Sequence, residues 1–264
     1  MSTSDRENFF VDSGQLDDLD EQFDAIHRAA VSRFEHIRTG HHVWVSSMHD
    51  ADPDMYRWID EVRTSPSLVG RVRDAFPGSR IVPVPEADEL YWAVSATTAK
   101  GSNRALVDCH YDAPFGGMLG NRVVFYRVIV ACNENDSTIT VFPKESVRAR
   151  MTTGDFHGLD YNRDLHCVEG EIPQGAHRVL LKLHYMAVSD GADAHASMVR
   201  WLNVTWTWAS RELMRMSANP STATEHAAAA LVVGSRVVWN NLVLVVIAML
   251  IVAIAVVVIL RRRR

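Results

Sequence analysis

The chain has 264 residues, of which 47% are hydrophobic and 22% charged, enough for one large packed domain and too apolar for a disordered tail or a fibrous repeat. Setting aside the four C-terminal arginines turns the formal net charge of −5 into −9 for the remainder, which repels phosphate backbones and makes nucleic acid an unexpected partner. Three cysteines, Cys109, Cys132 and Cys167, are odd in number and lack paired zinc spacing; they predict no disulfide framework and a reducing compartment.

In chain order, residues 1–18 read as an acidic, flexible lead-in with Asp12, Asp17 and Asp18, and no apolar run follows Met1, so no cleaved secretory signal is expected. Phe23, Ile26, Ala30, Phe34 and Ile37 recur at helical spacing and predict a helix over 19–38; a second is expected over 54–76, stopped by Pro77 and Gly78. From Arg80 the period changes to short β-rich runs at 80–84, 91–97, 105–110, 123–132, 138–142, 167–171 and 178–185. Such runs after a helical preface predict an α+β fold: a double-stranded β-helix, or jelly roll, buttressed by the N-terminal helices, within a domain spanning 19–216 whose core is 80–190. Met198, Trp201, Leu202, Thr205, Trp208, Ala209, Leu213 and Met216 follow helical spacing and are expected to pack on it. Asn203-Val-Thr205 matches a glycosylation acceptor, relevant only to a lumenal domain.

Residues 217–237 read as a tether. Leu242 to Leu260 is free of charge, follows Trp239, Asn240 and Asn241, and precedes Arg261 to Arg264. That pattern predicts a transmembrane helix over 238–260 with a basic tail at 261–264, so a lipid bilayer is an expected partner. The missing signal favours a cytosolic soluble domain, while the arginine tail favours the opposite orientation; the first argument is weighted more heavily.

One constellation in the β-rich part carries chemistry. His110 and Asp112 alternate with Tyr111 at a strand end, so both side chains leave on one face. His166 precedes a later strand and completes a two-histidine, one-carboxylate set, which on iron(II) leaves the opposite positions open for chemistry. Arg178 opens the last strand and offers a permanently charged fork to a carboxylate.

The ordered set His110-Tyr-Asp112, Arg122 leading a strand to Asn133, His166-Cys-Val, and Arg178 resembles the Fe(II)/2-oxoglutarate-dependent dioxygenases, nearest their prolyl-4-hydroxylase-like branch, over about residues 105–185. The resemblance implies that His110, Asp112 and His166 ligate Fe(II). It implies that Arg178, or Lys182 on the same strand face, pairs with the distal carboxylate of 2-oxoglutarate, and that Tyr126 or Arg127 supports the cosubstrate. Asp108 and Asp164 are candidates to orient the ligands, and His184 is the alternative ligand should His166 not be one; His157 and His177 read as ordinary histidines. Gly116, Gly117 and Gly120 read as a flap beside the ligand pair. The implied cofactors are Fe(II), 2-oxoglutarate and O2, with ascorbate as an optional reductant. The implied reaction is hydroxylation of a C–H bond in a protein, peptide or small-molecule substrate, with succinate and CO2 as coproducts. The alternative is an inactive jelly-roll interaction module tethered to a membrane.

Overall fold

The structure, a computed structural model, describes residues 12–37, 40–94, 109–113, 115–116, 120–218 and 221–227. A seven-stranded antiparallel sheet carries β1 (Asp12–Gln15), β8 (Asp155–Asp160), β5 (Val123–Ala131), β10 (His177–Val188), β4 (Glu89–Val94) and β2 (His41–Trp44) in that spatial order, with β3 (Arg80–Pro83) on the far half of β10. A second, three-stranded sheet has the order β7 (Val147–Met151), β6 (Asn135–Phe142), β9 (Cys167–Gly170). The α+β, two-sheet architecture expected from the sequence is present, and β1, from within the predicted lead-in, pairs with β8.

The side-chain period of a strand divides the large sheet into two faces. Val124, Tyr126, Val128, Val130, Val179, Leu181, Leu183 and Tyr185 bury against Phe23, Ile26, Ala30 and Phe34 of α1 (Asp20–Phe34), Met55, Ile59 and Val62 of α3 (Pro53–Thr64), and Leu68 and Val72 of α4 (Pro66–Ala75); α2 (Met48–Ala51) adds Met48. Each such fully buried aliphatic or aromatic side chain contributes about 1.5–3 kcal/mol. The alternate residues Ile129, Ala131, Leu159 and Leu180 form a smaller apolar cluster with Phe142 and Met151 of the second sheet. β5 is buried on both faces, which explains its nearly continuous apolar sequence.

Several expectations need correction. The single helix expected over 54–76 is α3 and α4, because Pro66 lacks an N–H and pushes Ser65 to an extended ψ of 139°; Ser65 then caps α4, its hydroxyl accepting from the Leu68 amide at 3.3 Å. The expected core stripe of the last helix, α5 (Asp193–Ala218), faces solvent instead: Met198, Trp201 and Trp208 are exposed, whereas Ala196, Val199, Asn203 and Thr207 are buried. Asn203 and Thr207 each donate to the carbonyl four residues back, Val199 and Asn203 respectively, and the Thr207 hydroxyl also meets that of Tyr161 at 2.7 Å, while Asn203 Oδ1 is buried without a partner among the described residues. Asn203 is thereby removed from the surface as an acceptor for glycosylation.

The chain divides into two compact units. The first, 1–99 with 104–209, holds both sheets; in the second, 100–103 with 210–264, Glu225 accepts from the amides of Ser221 and Thr222. The expected strand residues 95–97 and 105–108, Asp108, and the expected span 238–260 with its tail lie outside the described residues. Among the described residues no helix is long and apolar enough to cross a membrane.

One close approach sets a testable limit. A Cβ on Gly158 of β8 would lie 2.0 Å from the Tyr126 hydroxyl, and Tyr126 is backed by the edge of Phe76 at 4.9 Å between centroids. Gly158→Ala is expected to cost about 1–3 kcal/mol by overpacking, read as a lowered thermal midpoint. An unchanged midpoint would mean that Tyr126 moves aside freely.

Candidate metal centre

His110 and His166 face each other across an isolated antiparallel bridge, each amide donating to the other's carbonyl at 2.9 and 3.0 Å. Such a doubly bonded antiparallel pair sends both side chains to one side, where their rings meet at 4.7 Å between centroids. Asp112, two residues on, joins them: Oδ1 lies 3.9 Å from His110 Nε2 and Oδ2 lies 3.6 Å from His166 Nε2. All three ligand atoms fall within 4.8 Å of one another, so the set expected from the sequence converges. Neighbouring ligands on a metal with bonds of about 2.1 Å sit roughly 3 Å apart, so a modest contraction would seat one ion.

The surroundings orient each ligand. The His166 Nδ1 faces the Asp164 carbonyl at 3.2 Å, which selects the tautomer leaving Nε2 free for a metal. Asp164 therefore acts through its backbone, while its carboxylate accepts from the Asp160 amide at 2.6 Å. The Asp112 carbonyl accepts from the indole N–H of Trp206 at 2.9 Å, tying the ligand loop to α5. Arg127, on β5, donates through Nη1 to Asp112 Oδ2 at 2.6 Å and through Nε to His184 Nε2 at 2.9 Å, with its guanidinium over the Tyr161 ring. His184 is held in turn by Asp88, and Asp88 by Arg63 at 2.8 Å. Sequence reasoning missed this buried chain of charges because its members are scattered from residue 63 to residue 184.

Arg178 lies on the inner face of β10 and is only 6% exposed. Among the described residues it has no carboxylate partner, and its Nε meets no acceptor. Lys182 shares that face, with its ammonium 4.8 Å over the Tyr91 ring. Of the two residues weighed for cosubstrate support, Tyr126 points to the helix face, packed on Phe76, and so away from the centre; Arg127 points inward but is engaged with Asp112. His184, the reserve ligand, belongs to the Arg127–Asp88 chain, and His177 pairs with His27 at 2.7 Å between Nε2 atoms. The predicted flap is tied down in part, since the Gly116 and Gly120 carbonyls accept from the Arg163 guanidinium; Gly117 lies outside the described residues.

The cysteine expectation is overturned. Cys109 and Cys167 form a disulfide. They flank the two ligands in sequence and occupy the next cross-strand pair, on the face opposite the imidazoles. Cys132 is the buried free thiol, raised by desolvation above its ordinary range.

Burial also shifts the ionisable groups. It lowers His166 to about 4, against the pull of Asp112. It lowers His157 to about 3, helped by the charges of Arg178 and His166. Burial raises Asp164 to about 8 despite the Asp160 amide.

No protein-family model and no curated protein matches the chain in sequence. Solved structures to which it is similar include prolyl hydroxylases and a non-haem, alpha-ketoglutarate-dependent epimerase. A viral collagen prolyl hydroxylase from Paramecium bursaria Chlorella virus-1, in complex with 2-oxoglutarate, is 13% identical, with 67% of this chain and 96% of that chain covered and a TM-score of 0.43. AviO1 from Streptomyces viridochromogenes is 12% identical, with 69% and 91% covered and a TM-score of 0.45. A Pseudomonas putida prolyl-4-hydroxylase is 13% identical, with 69% and 94% covered and a TM-score of 0.39.

Two outcomes follow from this geometry. The disulfide closes a separation of 58 residues, and removing it by Cys167→Ser or by a dithiol should destabilise the fold by up to about 4 kcal/mol. Coincident melting curves with and without the dithiol would show that the bond does not constrain the chain. The second outcome concerns pH in the metal-free protein. Below the ordinary histidine value of 6.5, unfolding lets His157 and His166 take up protons the folded core refuses, while Asp164 keeps one the unfolded chain has lost. The histidines outnumber the carboxyl, and His27, His41, His177 and His184 are lowered as well, so stability falls as pH drops from 6.5 towards 4. Between 6.5 and 8 Asp164 still holds its proton in the fold, with Asp160 also raised, and stability declines as pH rises. Urea titrations should find a maximum near pH 6.5, and Asp164→Asn should flatten the alkaline side; a monotonic profile would contradict the assigned shifts.

Proposed function

We propose that the chain is an Fe(II)- and 2-oxoglutarate-dependent oxygenase that hydroxylates a C–H bond of a protein, peptide or small-molecule substrate. We propose too that residues 238–260 tether it to a membrane; the support for this tether is the uncharged run Leu242 to Leu260 and its basic tail. The observation carrying the catalytic reading is the pairing of a convergent His110, Asp112 and His166 set with a buried Arg178 that has no carboxylate partner among the described residues. An unpaired guanidinium costs several kcal/mol to bury. A small anion with one end at the metal and the other at Arg178 removes that cost, and 2-oxoglutarate has that form.

Ferrous iron held by His110, Asp112 and His166 would, with 2-oxoglutarate and O2, supply an oxidant able to attack an unactivated C–H bond, one oxygen of O2 going to succinate as CO2 is released and the other to the substrate. The chain does the rest by placement. Arg127 donates to Asp112 Oδ2 and neutralises the carboxylate, whose Oδ1 lies 3.9 Å from His110 Nε2. The Asp164 carbonyl fixes the His166 ring. Ile129, Leu159, Leu180 and Phe142 line the space between the sheets and exclude water from the reacting groups.

The test uses the full chain without oxygen, with Fe(II), 2-oxoglutarate and ascorbate in place of a thiol so that Cys109–Cys167 stays bonded. A visible charge-transfer band is expected, absent in His110→Ala and Asp112→Ala, and Arg178→Met should need at least about tenfold more 2-oxoglutarate to develop it. A wild-type protein without the band would leave the inert interaction module, and a band surviving in Asp112→Ala would mean the ligands are others.

A further inference from the structure

We propose that His157 is a further cosubstrate-binding residue, its Nε2–H donating to the same anion that Arg178 grips; this rests on the oxygenase reading above. The first support is register. Ser13, His157, Ile129, Lys182 and Glu89 are successive cross-strand partners from β1 to β4, so their side chains share one face of the large sheet. Ile129 of that row is in the inner apolar cluster, so His157 points between the sheets, where its ring meets the edge of Phe142 at 5.7 Å.

The second support is an unspent donor. His157 is 1% exposed and its Nε2 meets no partner. A leucine or phenylalanine would fill this apolar space, and an orphaned polar nitrogen there costs about 1–3 kcal/mol. Arg178 Nε and Arg127 Nη2 are orphaned on the same inner sheet face, so His157 is one of several buried nitrogens there without an acceptor among the described residues.

The third support is charge. Burial, with the positive charge of Arg178, holds the His157 imidazole neutral, so it adds a hydrogen bond without adding a further positive charge beside Arg178. A carboxylate has oxygens enough for both donors.

The experiment titrates 2-oxoglutarate calorimetrically into the full chain loaded with Mn(II), which binds without turnover, and follows Mn(II) affinity separately by electron paramagnetic resonance. His157→Leu, which removes the donor, should weaken 2-oxoglutarate binding by about tenfold or more while Mn(II) affinity stays within about twofold; His157→Gln should recover part of the loss. His157→Asn, polar but too short, should repeat the loss if His157→Leu fails to fold. Equal 2-oxoglutarate affinity in wild type and the Leu or Asn variant overturns the role of His157, and so does a parallel loss of Mn(II), which marks a merely structural residue. A wild type that holds Mn(II) but binds no 2-oxoglutarate, with Arg178→Met unchanged from it, overturns the oxygenase reading itself.

Discussion

Everything at the centre depends on one pair of backbone hydrogen bonds, those between His110 and His166. Side chains alternate along a strand, so a slip of one residue would turn both imidazoles to the opposite face and bring Cys109 and Cys167 inward. The disulfide on that opposite face makes the slip covalently forbidden. Among the described residues the register is held by one bridge and a staple. The ligands are therefore brought together by main-chain geometry before any ion contributes.

A second constraint acts from behind. Asp112, Arg127, a neutral His184 that accepts from Arg127, Asp88 and Arg63 form a hydrogen-bonded chain through the interior that ends on α3. Charges this deep are tolerated because each has a partner, and removing any one would leave its neighbour uncompensated. Arg178 departs from this rule within the same fold, and the contrast gives its bare guanidinium functional weight. The interior satisfies the charges it needs for structure and leaves open those that suit a ligand.

The outer surface shows the same separation of roles. The apolar residues of β5 and β10 on the helix face fix the position of both strands, whose other faces present Arg127, His184 and Arg178 inward. Trp206 connects the exposed side of α5 to the ligand loop through the Asp112 carbonyl, a contact that helical periodicity could not distinguish from general packing.

The residues that could be recognised from the sequence were those whose meaning is local. The alternation in His110-Tyr111-Asp112, the apolar run of β5, and the charge and position of Arg178 at the head of β10 determined the ligand types, the strands and the candidate clamp, because strand period and side-chain chemistry belong to neighbouring residues. The break at Pro66 was equally local and was overlooked. Only the tertiary structure decided that Cys109 meets Cys167, that Arg127 rather than Tyr126 faces inward, that α5 buries Asn203 and Thr207 while exposing Trp201, and that the His157 Nε2 is buried without a partner among the described residues. Those outcomes depend on which strand lies beside which and on which polar groups find partners across the core. Such pairings join residues far apart in the chain, and their energies exist only once the sheets have closed on one another.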